Sequence, residues 1–247
     1  MNEKPTHLDL FSGIGGFALA AGWAGFETVG FCDNEPYAQA VLKKHWPDVP
    51  IHGDIKALDG TAYRGVTLLT GGFPCQPFSC AGKRRGKDDD RYLWQEMFRI
   101  IKEANPAWII GENVAGIINL GLQETITNLE AFGYEVRVFN ISALSIDAVH
   151  KRERIWIIAN SNGKRQNLWK KTDNKTKKQC TKNKLAGCSF GEILKEWKGW
   201  KSTPYICRSD DGIPNRTHRL KGLGNAIVPQ VAYQIIKGIA KLVKEKR

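Results

Sequence analysis

The stretch Thr6-His7-Leu8-Asp9-Leu10-Phe11-Ser12-Gly13-Ile14-Gly15-Gly16-Phe17 decides the fold. Its first half is a short apolar run that reads as a strand over 6–11. Its second half places Gly13, Gly15 and Gly16 just before a helical pattern, where glycines let the backbone turn tightly and approach a ligand at a helix N-terminus. Strand, glycine turn and helix form the opening unit of an α/β sheet, and the chain repeats that rhythm to about residue 160. Further strands are expected near 27–32, 51–55, 66–71, 107–111, 134–142 and 153–159. Helices are expected over 15–23, 36–45, 92–104 and 120–131, stopping at Gly25, Trp46-Pro47, Asn105-Pro106 and Gly133. The pattern predicts a doubly wound, parallel, Rossmann-like α/β sheet with helices on its faces. Ligands of such sheets lie in the crevice beyond the carboxyl ends of the strands, so the residues that follow each strand are the candidates for chemistry.

Asp33 lies 20 residues after Gly13, at the end of the second strand, where a carboxylate accepts hydrogen bonds from ribose hydroxyls. Asp54 follows the third strand in the same way. Phe11, Ser12, Gly13, Ile14, Gly15 and Gly16, with these two acids, form a candidate nucleotide-cofactor site. On these residues alone NAD and S-adenosylmethionine remain equally possible.

The fourth strand runs into Gly71-Gly72-Phe73-Pro74-Cys75-Gln76-Pro77-Phe78-Ser79. A proline fixes the backbone just before a cysteine at the crevice, and that position argues against reading Cys75 as a small core residue. The polar stretch from Ala81 to Arg91 follows; its cations Lys83, Arg84 and Arg85 suit a phosphate backbone and favour a thiolate. The fifth strand ends in Glu112-Asn113-Val114, which puts a carboxylate beside the cysteine. The sheet edge is expected to add His150, Arg152 and Arg154, the arginines being planar cations suited to a phosphate or a carboxylate.

Taken together and in order, these segments resemble the DNA (cytosine-5-)-methyltransferase family. Phe11, Gly13 and Gly15 are similar to its Phe-x-Gly-x-Gly motif, Pro74-Cys75-Gln76 to its Pro-Cys-Gln motif, Glu112-Asn113-Val114 to its Glu-Asn-Val motif, and Arg152 with Arg154 to its Arg-x-Arg motif. Gly224-Asn225-Ala226-Ile227-Val228-Pro229 resembles the family's Gly-Asn-x-Val-x-Pro segment, whose helix folds back beside the cofactor loop. The resemblance implies S-adenosyl-L-methionine as cofactor and double-stranded DNA as partner, with a flipped-out cytosine attacked at C6 by Cys75. Glu112 is then expected to act at N3, Arg154 at O2, and Arg152 to brace Glu112 or the loop. The cofactor site extends to Asn34, Ile55 beside the adenine, Pro74, Asn225 and Ala226. Gln76, Ser79, Lys83, Arg84 and Arg85 are expected on the DNA. The chain departs from the pattern at Asp33-Asn34, where the family commonly carries Glu and an apolar residue, and at His150, where many members carry Gln.

Composition agrees with a nucleic-acid partner. Of 247 residues, 42% are hydrophobic and the net charge is +12. Residues 1–159 carry 16 basic and 19 acidic side chains, whereas residues 160–247 carry 21 basic and 6 acidic. The basic excess points to a polyanion. The expected organisation is a catalytic and cofactor-binding domain over 1–159, a reduced basic target-recognition region over 160–220, and a C-terminal segment and helix over 221–247 that packs back on the catalytic domain. No clear match to the family's usual anchor of the recognition region is visible, and the resemblance leaves Arg208 to Arg219 as the stretch expected in its place. Helical spacing returns at Ile227, Val231, Ile235, Ile239 and Leu242.

Six cysteines without CxxC spacing argue for reduced thiols and against a zinc site, and no metal is expected. No leader pattern and no run of about 18 consecutive apolar residues is visible, so a cytoplasmic protein without a membrane span is expected. A monomer is expected, with a cognate restriction endonuclease acting separately if the chain is not an orphan methylase. The alternatives are an RNA methyltransferase on the same scaffold, a DNA-binding remnant without turnover, and an NAD enzyme.

Overall fold

The computed structural model describes residues 4–74, 93–148, 150–161 and 222–244. Cys75, Gln76, Ser79, Lys83, Arg84, Arg85 and nearly all of the basic segment lie outside the described residues.

Seven strands form one sheet: β1 (Thr6–Leu10), β2 (Glu27–Cys32), β3 (Ile51–His52), β4 (Leu68–Gly71), β5 (Trp108–Asn113), β6 (Glu135–Ser142) and β7 (Glu153–Asn160), in the order β3-β2-β1-β4-β5-β7-β6. The helices are α1 (Gly16–Trp23), α2 (Pro36–His45), α3 (Trp94–Ala104), α4 (Leu122–Ala131) and α5 (Pro229–Lys244). The order reverses at β1 and β4, which lie side by side although α1, β2, α2 and β3 separate them in the chain. This leaves the crevice where a doubly wound sheet places its ligand.

β1 to β5 pair in parallel, as expected, but β7 runs antiparallel to both β5 and β6. The link from β6 to β7 is short and holds a 3-10 turn, Ala143–Ile146, closed by Asp147 at φ 58. A link of that length has no room for a crossover, so the strand must fold straight back. β7 thereby enters between β5 and β6, and Ile155 to Ala159 are buried. Arg152 and Arg154 therefore belong to an interior strand and its approach, not to the sheet edge.

β3 is shorter than expected because the chain leaves the sheet after His52 for an irregular segment running to the 3-10 turn Gly60–Tyr63. β5 is longer than expected and takes in Glu112 and Asn113, both buried.

The core is split by the sheet. On one face Leu8, Leu10, Leu69 and Ile109 pack with Met97, Ile100 and Ile101 of α3 and Leu129 of α4. On the other, Leu68, Ile110, Trp156 and Ile158 pack with Phe17, Ala20 and Ala21 of α1 and with Val231, Ala232, Ile236 and Ile239 of α5. Pro229 begins α5, where its missing N–H costs nothing. Among the described residues one helical stretch, Gly222–Lys244, is long and apolar enough to cross a membrane by length and composition alone. Lys237 and Lys241 interrupt its apolar run, and its apolar side is packed on α1 and the sheet.

Within that second face lies a polar chain. The Thr70 hydroxyl donates to Asp9 Oδ1 at 2.6 Å, and His7 Nε2 is 2.8 Å from Thr70 Oγ1. Since the hydroxyl hydrogen is spent on Asp9, the His7 Nε2–H donates to Thr70, and Nδ1 accepts from the Thr28 hydroxyl at 3.0 Å. His7, Asp9 and Thr70 are completely buried.

Candidate cofactor and catalytic site

The glycine loop is built by three backbone devices. Phe11 takes φ 52, a left-handed value uncommon for an aromatic residue, and Gly13 follows at φ 53. The Gly13 N–H donates to Asp33 Oδ2 at 2.7 Å, while the other carboxylate oxygen accepts from Glu35 N–H at 2.9 Å. Among the described residues a Cβ on Gly13 would meet nothing within 4 Å, so they leave open space over the loop at this point. By contrast, Gly15 and Gly16 are pressed from behind. A Cβ on Gly15 would lie 2.6 Å from the Trp46 ring, and one on Gly16 would lie 2.7 Å from Ile227 Cγ1. The C-terminal segment thus packs against the loop, with Gly222 close to Ile14 and Tyr37.

The Ser12 side chain is turned inward from the loop. Its Oγ donates to Asp9 O at 2.7 Å and accepts from Cys32 N–H at 3.2 Å, so the side chain ties β1 to β2 inside the protein. Cys32, buried beneath it, has its thiol pushed up to about 12, first by burial and then by the charges of Asp33 and Asp54. Burial likewise pushes the Asp9 carboxyl well above the usual range, with Asp33 adding to the shift and the Thr70 hydroxyl opposing it. Asn34, Asp54 and Asn225 are exposed and Ala226 is half-buried. Asp54 Oδ1 accepts from Lys56 N–H at 2.9 Å. Ile55 is only 6% exposed and belongs to the core, so little of its side chain is left to flank a ring.

An S-adenosylmethionine molecule suits what is present. Open space at Gly13 adjoins an acid whose two oxygens each accept one N–H and retain a lone pair for a ribose hydroxyl.

The candidate catalytic side of the crevice is organised by β4, β5 and β7. Glu112, 8% exposed, ends β5, and Arg154 Nε lies 2.9 Å from Glu112 Oε1. Burial raises the Glu112 carboxyl, and the charges of Arg154 and Arg152 only partly offset it. A Cβ on Gly72 would lie 3.4 Å from Glu112 Oε2, so the end of β4 runs directly past the carboxyl. Asn113 Nδ2 donates to Phe73 O at 2.8 Å, fixing the backbone that leads through the exposed Pro74 to Cys75. Phe73 is buried against Trp94 at 5.1 Å between ring centroids.

Arg152 does not reach Glu112 by a hydrogen bond. Its Nη2 donates to Gly224 O at 2.8 Å and to Ala226 O at 2.7 Å, anchoring the C-terminal segment. Of the two arginines, Arg154 is the brace and Arg152 the tether. His150 is exposed. Among the described residues no group of three or more His, Cys, Asp or Glu side chains converges as a metal site.

Sequence reasoning missed Asn113 as a backbone brace, the His7 to Asp9 chain, and Trp46 behind the loop. His7 and Asp9 share one face of β1 by strand alternation, which is a readable signal. Trp46 gives none, because its partner Gly15 is distant in sequence.

Residues 6–205 match the family described as C-5 cytosine-specific DNA methylase. The Type II methyltransferase M.NgoMIV of Neisseria gonorrhoeae is 44% identical over 115 residues, 46% of this chain and 37% of the relative. The Type II methyltransferase M.Eco47II of Escherichia coli is 39% identical over 168 residues, 64% of this chain and 40% of the relative. A solved structure of Spodoptera frugiperda DNMT2 matches with a TM-score of 0.56 and 26% identity, over 64% of this chain and 50% of that one. The chain thus spans about two-fifths of the length of the two curated relatives.

Proposed function

The chain belongs to the C-5 cytosine-specific DNA methylase family, and from that premise we propose that it transfers a methyl group from S-adenosyl-L-methionine to C5 of a cytosine in double-stranded DNA. The observation that carries this reading is the meeting, at the crevice, of buried Glu112, its partner Arg154 and the β4 end that delivers Cys75.

C5 of cytosine is a weak nucleophile, and adding a thiolate to C6 converts the ring into an enamine with carbon nucleophilicity at C5. Cys75 is the thiolate. The addition moves an electron pair toward N3, which then takes a proton. Glu112 suits that step, because burial holds its carboxyl toward the protonated form. Arg154 keeps the carboxyl in place and offers remaining N–H groups to the ring carbonyl oxygen, where charge also gathers. The cofactor, when bound, supplies an electrophilic methyl group on a sulfonium. After transfer, loss of the C5 proton expels the Cys75 sulfur and restores the aromatic ring.

Since the base must leave the stack to reach Cys75, at a cost of a few kcal/mol, phosphate contacts from Lys83, Arg84, Arg85 and the basic segment offset that loss, with Gln76 and Ser79 beside the DNA. Asp33 serves the ribose and Asp54 the adenine side, with Phe11 to Gly16, Asn34, Pro74, Asn225 and Ala226 lining the rest. The protein acts as a monomer, with any restriction endonuclease a separate chain.

The test is methyl transfer from radiolabelled cofactor to duplex DNA, followed by nucleoside analysis. Wild-type protein is expected to yield 5-methylcytosine. Cys75→Ser should abolish transfer, and Glu112→Gln should lower kcat by roughly 10²–10⁴-fold, as the loss of a positioned acid does. Full activity in Cys75→Ser would sink the covalent route, and no 5-methylcytosine from the wild type would sink the assignment.

A further inference from the structure

The irregular segment between β3 and the Gly60–Tyr63 turn carries Asp54, which the proposed function places at the adenine end of the cofactor, and beside it the buried Ile55. Such a segment is a problem in a packed protein. Ile55, Leu58 and Gly60 are buried, and their backbone groups lie outside any ladder, so each needs another partner.

One side chain supplies much of what is missing. Arg99, on α3, donates from Nη2 to Ile55 O at 2.7 Å and from Nη1 to Leu58 O at 3.0 Å. Two carboxylates hold the guanidinium in that plane. Nε donates to Glu96 Oε2 at 2.9 Å, and Nη1 lies 2.9 Å from both oxygens of Glu103. Glu103 continues the chain, because its Oε2 also accepts from Gly60 N–H at 2.9 Å. The fit there is close, since a Cβ on Gly60 would lie 2.9 Å from Glu103 Cβ. Glu96, Arg99 and Glu103 recur at three- and four-residue spacing, so one face of α3 presents the whole clamp.

We infer that Arg99, held by Glu96 and Glu103, is a positioning residue for the cofactor, fixing the height and orientation of the Asp54-Ile55 segment against which the adenine is placed. The inference rests on the proposed cofactor reading. The guanidinium is suited to it by geometry, not charge alone. A planar fork reaches two carbonyls and two carboxylates at once, whereas a lysine ammonium is a single point that keeps the charge and loses the fork.

Arg99→Lys is therefore the informative variant, measured as full-length protein beside the wild type. S-adenosylhomocysteine binding is read by calorimetry, and KM for S-adenosylmethionine, KM for DNA and kcat are read by methyl transfer. The expected result is a rise of about tenfold in the S-adenosylhomocysteine Kd and the cofactor KM, with kcat at saturating cofactor and KM for DNA within about twofold of wild type. A lowered melting temperature with unchanged cofactor affinity would show a purely structural role and overturn the inference. So would a fall in kcat with unchanged cofactor KM. If Arg99→Lys does not fold, Glu103→Gln, which keeps the shape and removes the charge of the clamp, is held to the same criteria. Wild-type protein that binds no S-adenosylhomocysteine would overturn the cofactor reading itself, an outcome distinct from equal binding by wild type and variant.

Discussion

His7 and Asp9 stand two positions apart on β1 and are joined through Thr70, yet burial drives their titrations in opposite directions. His7 is held neutral, its pKa lowered to about 3 from the ordinary 6.5, because burial disfavours the charged ring. Between those two values the unfolded chain binds a proton that the folded chain refuses, so this residue lowers stability progressively as pH falls from 6.5 toward 3. Asp9 has the other sign. Its raised pKa contributes stability that is full below the unfolded value of 3.8 and is lost as pH rises through the folded value. Substituting His7 isolates its share. His7→Gln should be less stable than wild type near neutrality, because it cannot reproduce both hydroxyl contacts, and the gap should narrow as pH is lowered from 7 to 4. Thermal melts at the two pH values decide it, and a gap independent of pH would mean that the ring is not kept neutral. The same pair marks a limit of sequence reading. Alternation on β1 puts both residues on one face, but Thr28 and Thr70 come from neighbouring strands whose register no local pattern fixes.

At the scale of elements, α1 meets the C-terminal segment through Gly16 and Ile227, just ahead of α5, and this contact seats the glycine loop on that segment. Gly16 opens α1 without a left-handed φ, so alanine is allowed there by the backbone and would favour the helix by up to ~1 kcal/mol. A loss on Gly16→Ala therefore reports the clash with Ile227 and nothing else local. Overpacking of this kind costs about 1–3 kcal/mol. The expectation is that Gly16→Ala lowers the melting temperature and weakens S-adenosylhomocysteine binding, and that adding Ile227→Ala restores much of both. Additive effects in the double variant would show that the two elements are not coupled there. The elements themselves were largely legible. Spacing marks β1, β2, α2, α4 and α5, and Asp33 and Glu112 lie at the carboxyl ends of β2 and β5. The direction of β7 was not legible, since alternation is the same in parallel and antiparallel strands and only the short β6 to β7 link forces the reversal. Arg99 was invisible for a related reason. The carbonyls it serves lie more than 40 positions earlier, at Ile55, which sequence spacing reads as the end of a longer strand, and at Leu58 beyond it.

For the whole molecule, the proposed function gives the division of charge a meaning: it would separate the work of binding from the work of chemistry. The sheet with Asp33, Glu112, Arg152 and Arg154 lies in the part holding 16 basic and 19 acidic residues, whereas residues 160–247 hold 21 basic and 6 acidic. A body that is slightly acidic gains little from approaching a duplex, so on the proposed function most of the attraction is expected from the second part. Phosphates are identical at every step of DNA, and cations that neutralise them set affinity and salt dependence without setting sequence preference. Lys170, Lys171, Lys175, Lys177 and Lys178 are the densest group of such cations, and they lie outside the described residues. Each phosphate contact contributes about 0.9 to the slope of log affinity against log salt concentration, so replacing all five lysines with glutamine should flatten that slope by up to about 4.5. The methylated sequence should stay the same, and kcat at saturating DNA should hold. Filter binding across a salt series, with sequencing of the methylated DNA, reads both quantities in one set of proteins. An unchanged slope would mean that these lysines do not touch the backbone, and a changed target sequence would mean that they read bases, in which case affinity and recognition share one segment.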